Sequence, residues 1–330
     1  MTDDTGTNVT TSNDERTHAE ELAIVLNGLR RPVKRIATKY HYDEHGSRLF
    51  EQITELDEYY LTRTERALLE RWMPAWVADL EPRTLVELGA GSAEKSRIIL
   101  DAMVSAGCGE AYVPVDVSAD FLGKTTDTLR AEYPGLEIVP EVADIKEPLD
   151  LVIGLPHPRW VAFLGSTLGN FDGVEASRLL GRIAARLHDG DRFLLGVDLR
   201  PGPKKSIERV EAAYNDPKGV TQRFSLNILA VVNHEFGSDF DLDRFVHRSR
   251  YNVAEGRIET ELVSLTNQVV HFPGDHRIVL QKGEPIRTEI SSKYDRTTID
   301  GLFEGAGLVV DRWIEDDEGL YALVLSGPAA

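Results

Sequence analysis

From residue 64 onward the apolar positions switch repeatedly between two periods. "TERALLERWMPAWVADL" carries them at helical spacing, "TLVELG" is a short unbroken apolar run, and "AEKSRIILDAMVSAG" is helical again. The alternation continues through "AYVPVDVS", "ADFLGKTTDTLRAEYP", "LEIVPEVAD", "RWVAFLG", "EASRLLGRIAARLHDGD" and "RFLLGVDLR". Short apolar runs bounded by glycine or proline read as buried strands, and a spacing of three to four reads as an amphipathic helix. Strands alternating with helices predict an α/β domain, a doubly wound and mainly parallel sheet covered on both faces. Between about residues 206 and 290 the pattern changes. The helix-like "SIERVEAAYN" and "GVTQRFSLNILAVVNHEFG" give way to strand-like "RIETELVSLTNQVVHF", "HRIVLQ" and "PIRTEISSKY", which predicts an inserted α+β domain. The end returns to the first style with the helix "TTIDGLFEGAG" and the strands "LVVDRWIED" and "LYALVLSG". The expected division is 64–205 plus 292–330 for the first domain and 19–63 plus 206–291 for the second, after a Thr/Asp/Asn-rich tail over 1–18 expected to be disordered.

Composition narrows the ligands. The 330 residues hold 37 Lys plus Arg against 55 Asp plus Glu, a net charge of -18, so no phosphate-neutralising surface for nucleic acid is expected. The single cysteine, Cys108, excludes an internal disulfide and a cysteine-cluster zinc site, and fits a reducing, cytoplasmic setting. Without a membrane-length apolar run or the blocks of a signal peptide, the expected partner is a small solute and the expected state a monomer.

The first strand runs into "TLVELGAGSAEKS", residues 84–96. A dinucleotide fingerprint asks for G-x-G-x-x-G. Gly89 and Gly91 supply the first two glycines, but Glu94 stands in place of the third, and Glu87 makes the pattern E-x-G-x-G. That pattern resembles the first motif of class I methyltransferases dependent on S-adenosylmethionine (SAM), many of which also close on a helix and two strands. Asp116 ends the next strand, where a carboxylate accepts ribose hydroxyls from either cofactor. Asp144, in "VADI", is placed to accept from an adenine amino group, with Ile145 packed on the ring and Lys95 available to a cofactor carboxylate.

Three further stretches complete a resemblance: "YHYDEHGSRLFEQITELDEYYLTRTE" (40–65), "VAFLGSTLGNF" (161–171) and "RTEISSKY" (287–294). With the glycine turn they resemble the histidine Nα-methyltransferases of ergothioneine biosynthesis, in order from about residue 35 to the end. The resemblance implies a Rossmann-like methyltransferase sheet with an inserted substrate domain, and trimethylation of the α-amine of L-histidine to hercynine. It implies SAM contacts at Gly89, Gly91, Lys95, Asp116, Asp144 and Ile145. For the substrate it implies Tyr59 beside the imidazole, Asn170 on the amine and carboxylate, Tyr214 on the carboxylate, and Tyr42 near the reacting amine. Glu289 and Ser291 carry a logic of their own, because residues i and i+2 of a strand share a face while Ile290 points the other way. A carboxylate accepting from one ring N–H and a hydroxyl serving the other nitrogen would read histidine over phenylalanine or leucine.

One position departs from the family: Thr260 stands where its members carry methionine beside the imidazole pocket. Another aromatic amino acid, such as tryptophan, is therefore an open alternative substrate. A nicotinamide oxidoreductase and a non-catalytic SAM or amino-acid sensor are the alternatives from other classes. His41 and His45 lie four apart, but Tyr42 replaces the glutamate that a metalloprotease helix needs, so no metal is expected. "GSTLG" imitates a nucleophile elbow with Thr167 in place of serine, and Cys108, beside two glycines, reads as a bystander.

Overall fold

The computed structural model describes residues 7–146 and 154–329. In chain order the elements are α1 (Thr7–Leu29), β1 (Lys34–Arg35), α2 (Glu44–Thr54), α3 (Tyr60–Leu80), β2 (Thr84–Leu88), α4 (Glu94–Ala106), β3 (Ala111–Asp116) and α5 (Ala119–Glu132). They continue with β4 (Glu137–Ile138), β5 (Glu141–Val142), β6 (Arg159–Phe163), α6 (Gly173–Ala184), β7 (Arg192–Asp198), α7 (Ile207–Ala212), α8 (Val220–Phe236) and β8 (Phe245–Asn252). The last are β9 (Arg257–Ser264), β10 (Gln268–Phe272), β11 (His276–Leu280), β12 (Pro285–Ser292), α9 (Arg296–Ala306), β13 (Leu308–Glu315) and β14 (Tyr321–Pro328). Contacts divide the chain into a larger unit of 54–213, 251–258 and 290–330, and a smaller one of 1–53, 214–250 and 259–289.

The larger unit is built on one sheet in the order β13-β14-β7-β6-β2-β3-β4, with β5 also paired to β3. The pairs among β2, β3, β4, β6 and β7 are parallel, and β14 joins antiparallel to β7 and to β13. This is the doubly wound α/β architecture read from the pattern, closed by the expected terminal pair of strands. All five residues of β2 are buried, as a central parallel strand requires. Chain order runs outward from β2 through β3 on one side and through β6 on the other, so the carboxyl end of β2 is a topological switch point, where such sheets bind ligands. One apolar core joins Val86, Val113, Phe163, Leu195 and Val324 of the sheet to Leu180 of α6 and Phe303 of α9.

The smaller unit carries the sheet β1-β12-β9-β8 and the β10-β11 hairpin, whose residues share a core with α1 and α8 through Leu29, Ile228, Val232, Phe245, Leu262 and Ile286. Three details differ from the sequence pattern. "LEIVPEVAD" forms two short strands, since Pro140 has no N–H for the ladder. β8 was hidden by the cations Arg248 and Arg250, which interrupt its buried positions Phe245 and Ser249. Residues 7–18, expected in the tail, are helical in α1, where the His18 ring packs 5.4 Å from that of Phe236; residues 1–6 lie outside the described residues.

Candidate functional site

The turn after β2 is held by its own backbone. The amides of Gly89 and Ala90 donate to the Val115 carbonyl at 2.8 and 3.0 Å, and the Gly91 amide donates to Asp116 Oδ2 at 3.0 Å. Gly89 and Gly91 have φ of 76° and 52°, in the left-handed region that glycine enters without a Cβ penalty. A Cβ built on either would meet nothing within 4 Å, so the turn is open along its outer side and admits a small molecule against the backbone. These three amides are engaged internally and so are not donors to a ligand phosphate. Asp116 also accepts from the Ser118 amide and Asp144 from the Lys146 amide, which fixes both carboxylates while leaving further lone pairs available. Asp144 lies two residues beyond β5 rather than at its end, and Ile145 packs partly buried against the core.

Beneath the turn Glu87 is buried and accepts from Tyr112 Oη at 2.5 Å; burial pushes its carboxyl up to about 7, against the lowering pull of Ser96, Tyr112 and Lys95. Lys95, at the start of α4, meets a partner that the sequence pattern did not reveal. Its Nζ lies 2.7 Å from Glu65 Oε2 on α3. The Glu65 side chain is wholly buried, and it also accepts from the Gly165 amide at 2.8 Å and from Tyr321 Oη at 2.7 Å. One carboxylate thus ties together α3, α4, the end of β6 and β14. Gly196 leaves room for it, since a Cβ there would stand 1.9 Å from Glu65 Oε1.

Asn170 ends a short 3-10 turn, Thr167–Asn170, after β6. Two contacts set that turn against the end of β12. A Cβ on Gly169 would be 2.7 Å from the Ser292 carbonyl oxygen, so only glycine permits the approach, and Tyr294 Oη donates to the Leu168 carbonyl at 3.1 Å. Asp172 closes the turn by capping α6 through the amides of Val174 and Glu175, a reciprocal box with Glu175 that contributes about 1 kcal/mol. Thr167, read as a false nucleophile, donates to the Leu164 carbonyl within this turn. Tyr59 is buried just ahead of α3.

The end of β12 opens onto a charged cluster in the interior. Lys293 Nζ lies 2.8 Å from Ser291 Oγ and 2.9 Å from Asp198 Oδ2, while Lys205 Nζ lies 2.5 Å from Asp198 Oδ1. Tyr60 Oη donates to the same carboxylate at 3.0 Å, and the Tyr60 ring faces Lys205 Nζ at 4.9 Å. All three charged side chains are essentially inaccessible. The two ammonium groups hold the Asp198 carboxyl below its ordinary range despite burial, and burial brings Lys205 down to about 8. An aspartate ending the apolar strand "RFLLGVD" and a lysine directly after "EISS" were the available signals.

In the smaller unit Tyr42 belongs to an aromatic group, with ring centroids 5.5 Å from Phe224 and 5.8 Å from Phe50. Tyr214 is buried and its carbonyl accepts from His247 Nε2 at 2.8 Å. Glu289 and, across the division in the larger unit, Ile290 are half-buried, whereas Ser291 is buried. Thr260 is buried with its hydroxyl 2.7 Å from Ser249 Oγ, a bond within the unit's own sheet.

His41 stacks on Phe224 at 4.6 Å and its Nδ1 bonds the Phe224 carbonyl at 3.2 Å. Burial brings its pKa down to about 4. A histidine held neutral in the fold contributes stability that is whole above the unfolded value near 6.5 and is lost as pH falls toward 4. Acidification from pH 7 to pH 5 should therefore remove about 2 kcal/mol through this residue. Urea unfolding of His41→Phe at both pH values checks this: the variant should lose less than the parent, and an equal loss would contradict the assignment.

Comparison with known proteins adds an independent line. The model of a histidine-specific, SAM-dependent methyltransferase family matches residues 19–328. The histidine N-alpha-methyltransferase of Mycolicibacterium smegmatis is 40% identical over 305 residues, 92% of this chain and 93% of that protein. Ergothioneine biosynthesis protein 1 of Schizosaccharomyces pombe is 33% identical over 244 residues, 71% of this chain and 31% of that protein. A SAM-dependent methyltransferase from Clostridium acetobutylicum superposes with a TM-score of 0.50 at 10% identity, covering 85% of this chain and 98% of that one, a likeness of fold.

Proposed function

The chain belongs to the histidine-specific, SAM-dependent methyltransferases, so SAM is its cofactor and histidine methylation in ergothioneine synthesis its activity, and we propose that the acceptor is the α-amine, methylated three times to hercynine. Gly89, Gly91, Lys95, Asp116, Asp144 and Ile145 are assigned to the cofactor. The open glycine turn and the two anchored carboxylates at the switch point support that assignment. Lys95 reaches the cofactor carboxylate in this reading while Glu65 keeps its ammonium in place. Tyr59, Asn170, Tyr214, Glu289, Ile290 and Ser291 are assigned to the histidine. The observation that carries the substrate assignment is the seating of Gly169 on the Ser292 backbone, which puts the turn bearing Asn170 beside the strand bearing Ser291.

Bound SAM supplies an electrophilic methyl carbon on a sulfonium. The protein's share is positioning: Asn170 orients the amine toward that carbon, and Tyr214 and Asn170 hold the carboxylate. The amine has to be neutral at each attack, which a site poor in water favours. Tyr42, nearest the reacting amine in this assignment, tolerates the growing cationic charge with its ring face, an attraction of about 0.5–2 kcal/mol.

Glu289→Ala tests the imidazole reading. Losing a hydrogen bond from a charged acceptor, about 1.5–3 kcal/mol, should raise the histidine KM roughly 10- to 150-fold while the SAM dissociation constant stays within about twofold. Equal weakening of both ligands in calorimetry would remove Glu289 from the substrate site.

A further inference from the structure

We propose that Arg182 is a positioning residue for the cofactor: its guanidinium fixes the segment 144–146, so that Asp144 presents its carboxylate to the 6-amino group of the adenine ring. This rests on the reading that Asp144 meets that amino group. The last sheet bond before the segment runs from the Ala143 amide to the Asp116 carbonyl at 3.0 Å. β5 has ended at Val142, so residues 144–146 lie beyond the strand and their carbonyls need other partners. Arg182, half-buried in the last turn of α6, supplies them. Its Nη1 donates to the Lys146 carbonyl at 2.9 Å and its Nη2 to the Ile145 carbonyl at 3.1 Å, a two-pronged grip that suits a rigid planar fork. The Lys146 amide in turn donates to Asp144 Oδ1 at 2.8 Å. The Ile145 carbonyl and the Lys146 amide belong to one planar peptide group, so Arg182 on its oxygen aims the N–H that holds Asp144. α6 meets the segment a second time through Glu175, two helical turns earlier and on the same face, whose Oε1 lies 3.5 Å from Lys146 Nζ. Along the sequence an arginine in "LLGRIA" reads as a solvated helix position, and its two carbonyl acceptors are what give it a role.

The test is calorimetry with two ligands, S-adenosylhomocysteine and the analogue whose purine carries hydrogen in place of the 6-amino group. The intact protein should prefer the amino form by at least about tenfold, the worth of one hydrogen bond to a charged acceptor. In Arg182→Met that preference should fall to about twofold or less, because a carboxylate that is no longer aimed cannot tell the two rings apart. A merely structural role would weaken both ligands alike and leave the ratio unchanged, which would overturn the proposal. Arg182→Lys keeps the charge but not the fork and should also lose most of the preference, and it decides the matter if the methionine variant does not fold. Asp144→Ala separates the two layers. A preference kept in that variant, or none in the intact protein, would refute the adenine reading of Asp144 and the proposal with it. A preference lost in Asp144→Ala but kept in the Arg182 variants would refute only the role of Arg182.

Discussion

Asp198→Ala is expected to remove about 3–5 kcal/mol of stability, a large share of what a folded chain of ordinary stability possesses. The substitution leaves two ammonium groups, Lys205 and Lys293, in the interior with their common counter-ion gone. Among the bonds that remain, those of Lys205 to the Leu199 and Leu320 carbonyls and of Lys293 to Ser291 are to dipoles rather than charges and recover only part of the lost solvation. Chemical unfolding of the purified variant checks this. A much reduced midpoint, or failure to yield folded protein, is the expected result, and a loss under about 1 kcal/mol would mean that the cluster is hydrated. Lys205→Met should be milder, because Asp198 then keeps Lys293 and Tyr60.

Gly196→Ala should be nearly as damaging and should also reach the cofactor. Its Cβ would fall 1.9 Å from Glu65 Oε1 and 2.7 Å from Tyr321 Oη, too close for either to remain. Moving the Glu65 carboxylate breaks its contacts with Lys95 and with the Gly165 amide, at an expected loss of about 3 kcal/mol. Because Lys95 is then unanchored, SAM affinity should fall by at least about tenfold, the equivalent of one good hydrogen bond. Calorimetry with SAM and an unfolding curve on the same sample read both effects. An unchanged dissociation constant together with an unchanged midpoint would show that Glu65 does not organise the cofactor side.

These two variants also mark where sequence reading stopped. The architecture was legible because the alternation of strand and helix periods is set by burial alone, and the glycine turn was legible because Gly89 and Gly91 must adopt positive φ next to a buried strand. Glu65 was not, since a glutamate in "RTERALLERW" looks like any solvated helix position until β14 and the end of β6 close over it. Asp198 and Lys205 lie seven residues apart across a turn, while Lys293 comes from a distant stretch, and only folding brings it to them. β8 was missed because Arg248 is balanced by Glu261 on the adjacent strand, a pairing invisible along a single segment. The resemblance to histidine methyltransferases, by contrast, was carried by contiguous blocks and needed no tertiary information.

The most direct test of the central claim is to incubate the purified protein with SAM and each of the twenty amino acids and to weigh the products. Histidine should be converted, to a betaine heavier by three methylene units, with S-adenosylhomocysteine released alongside. If histidine is left unchanged, or if another amino acid is methylated in its place, the assignment of substrate and pocket is contradicted.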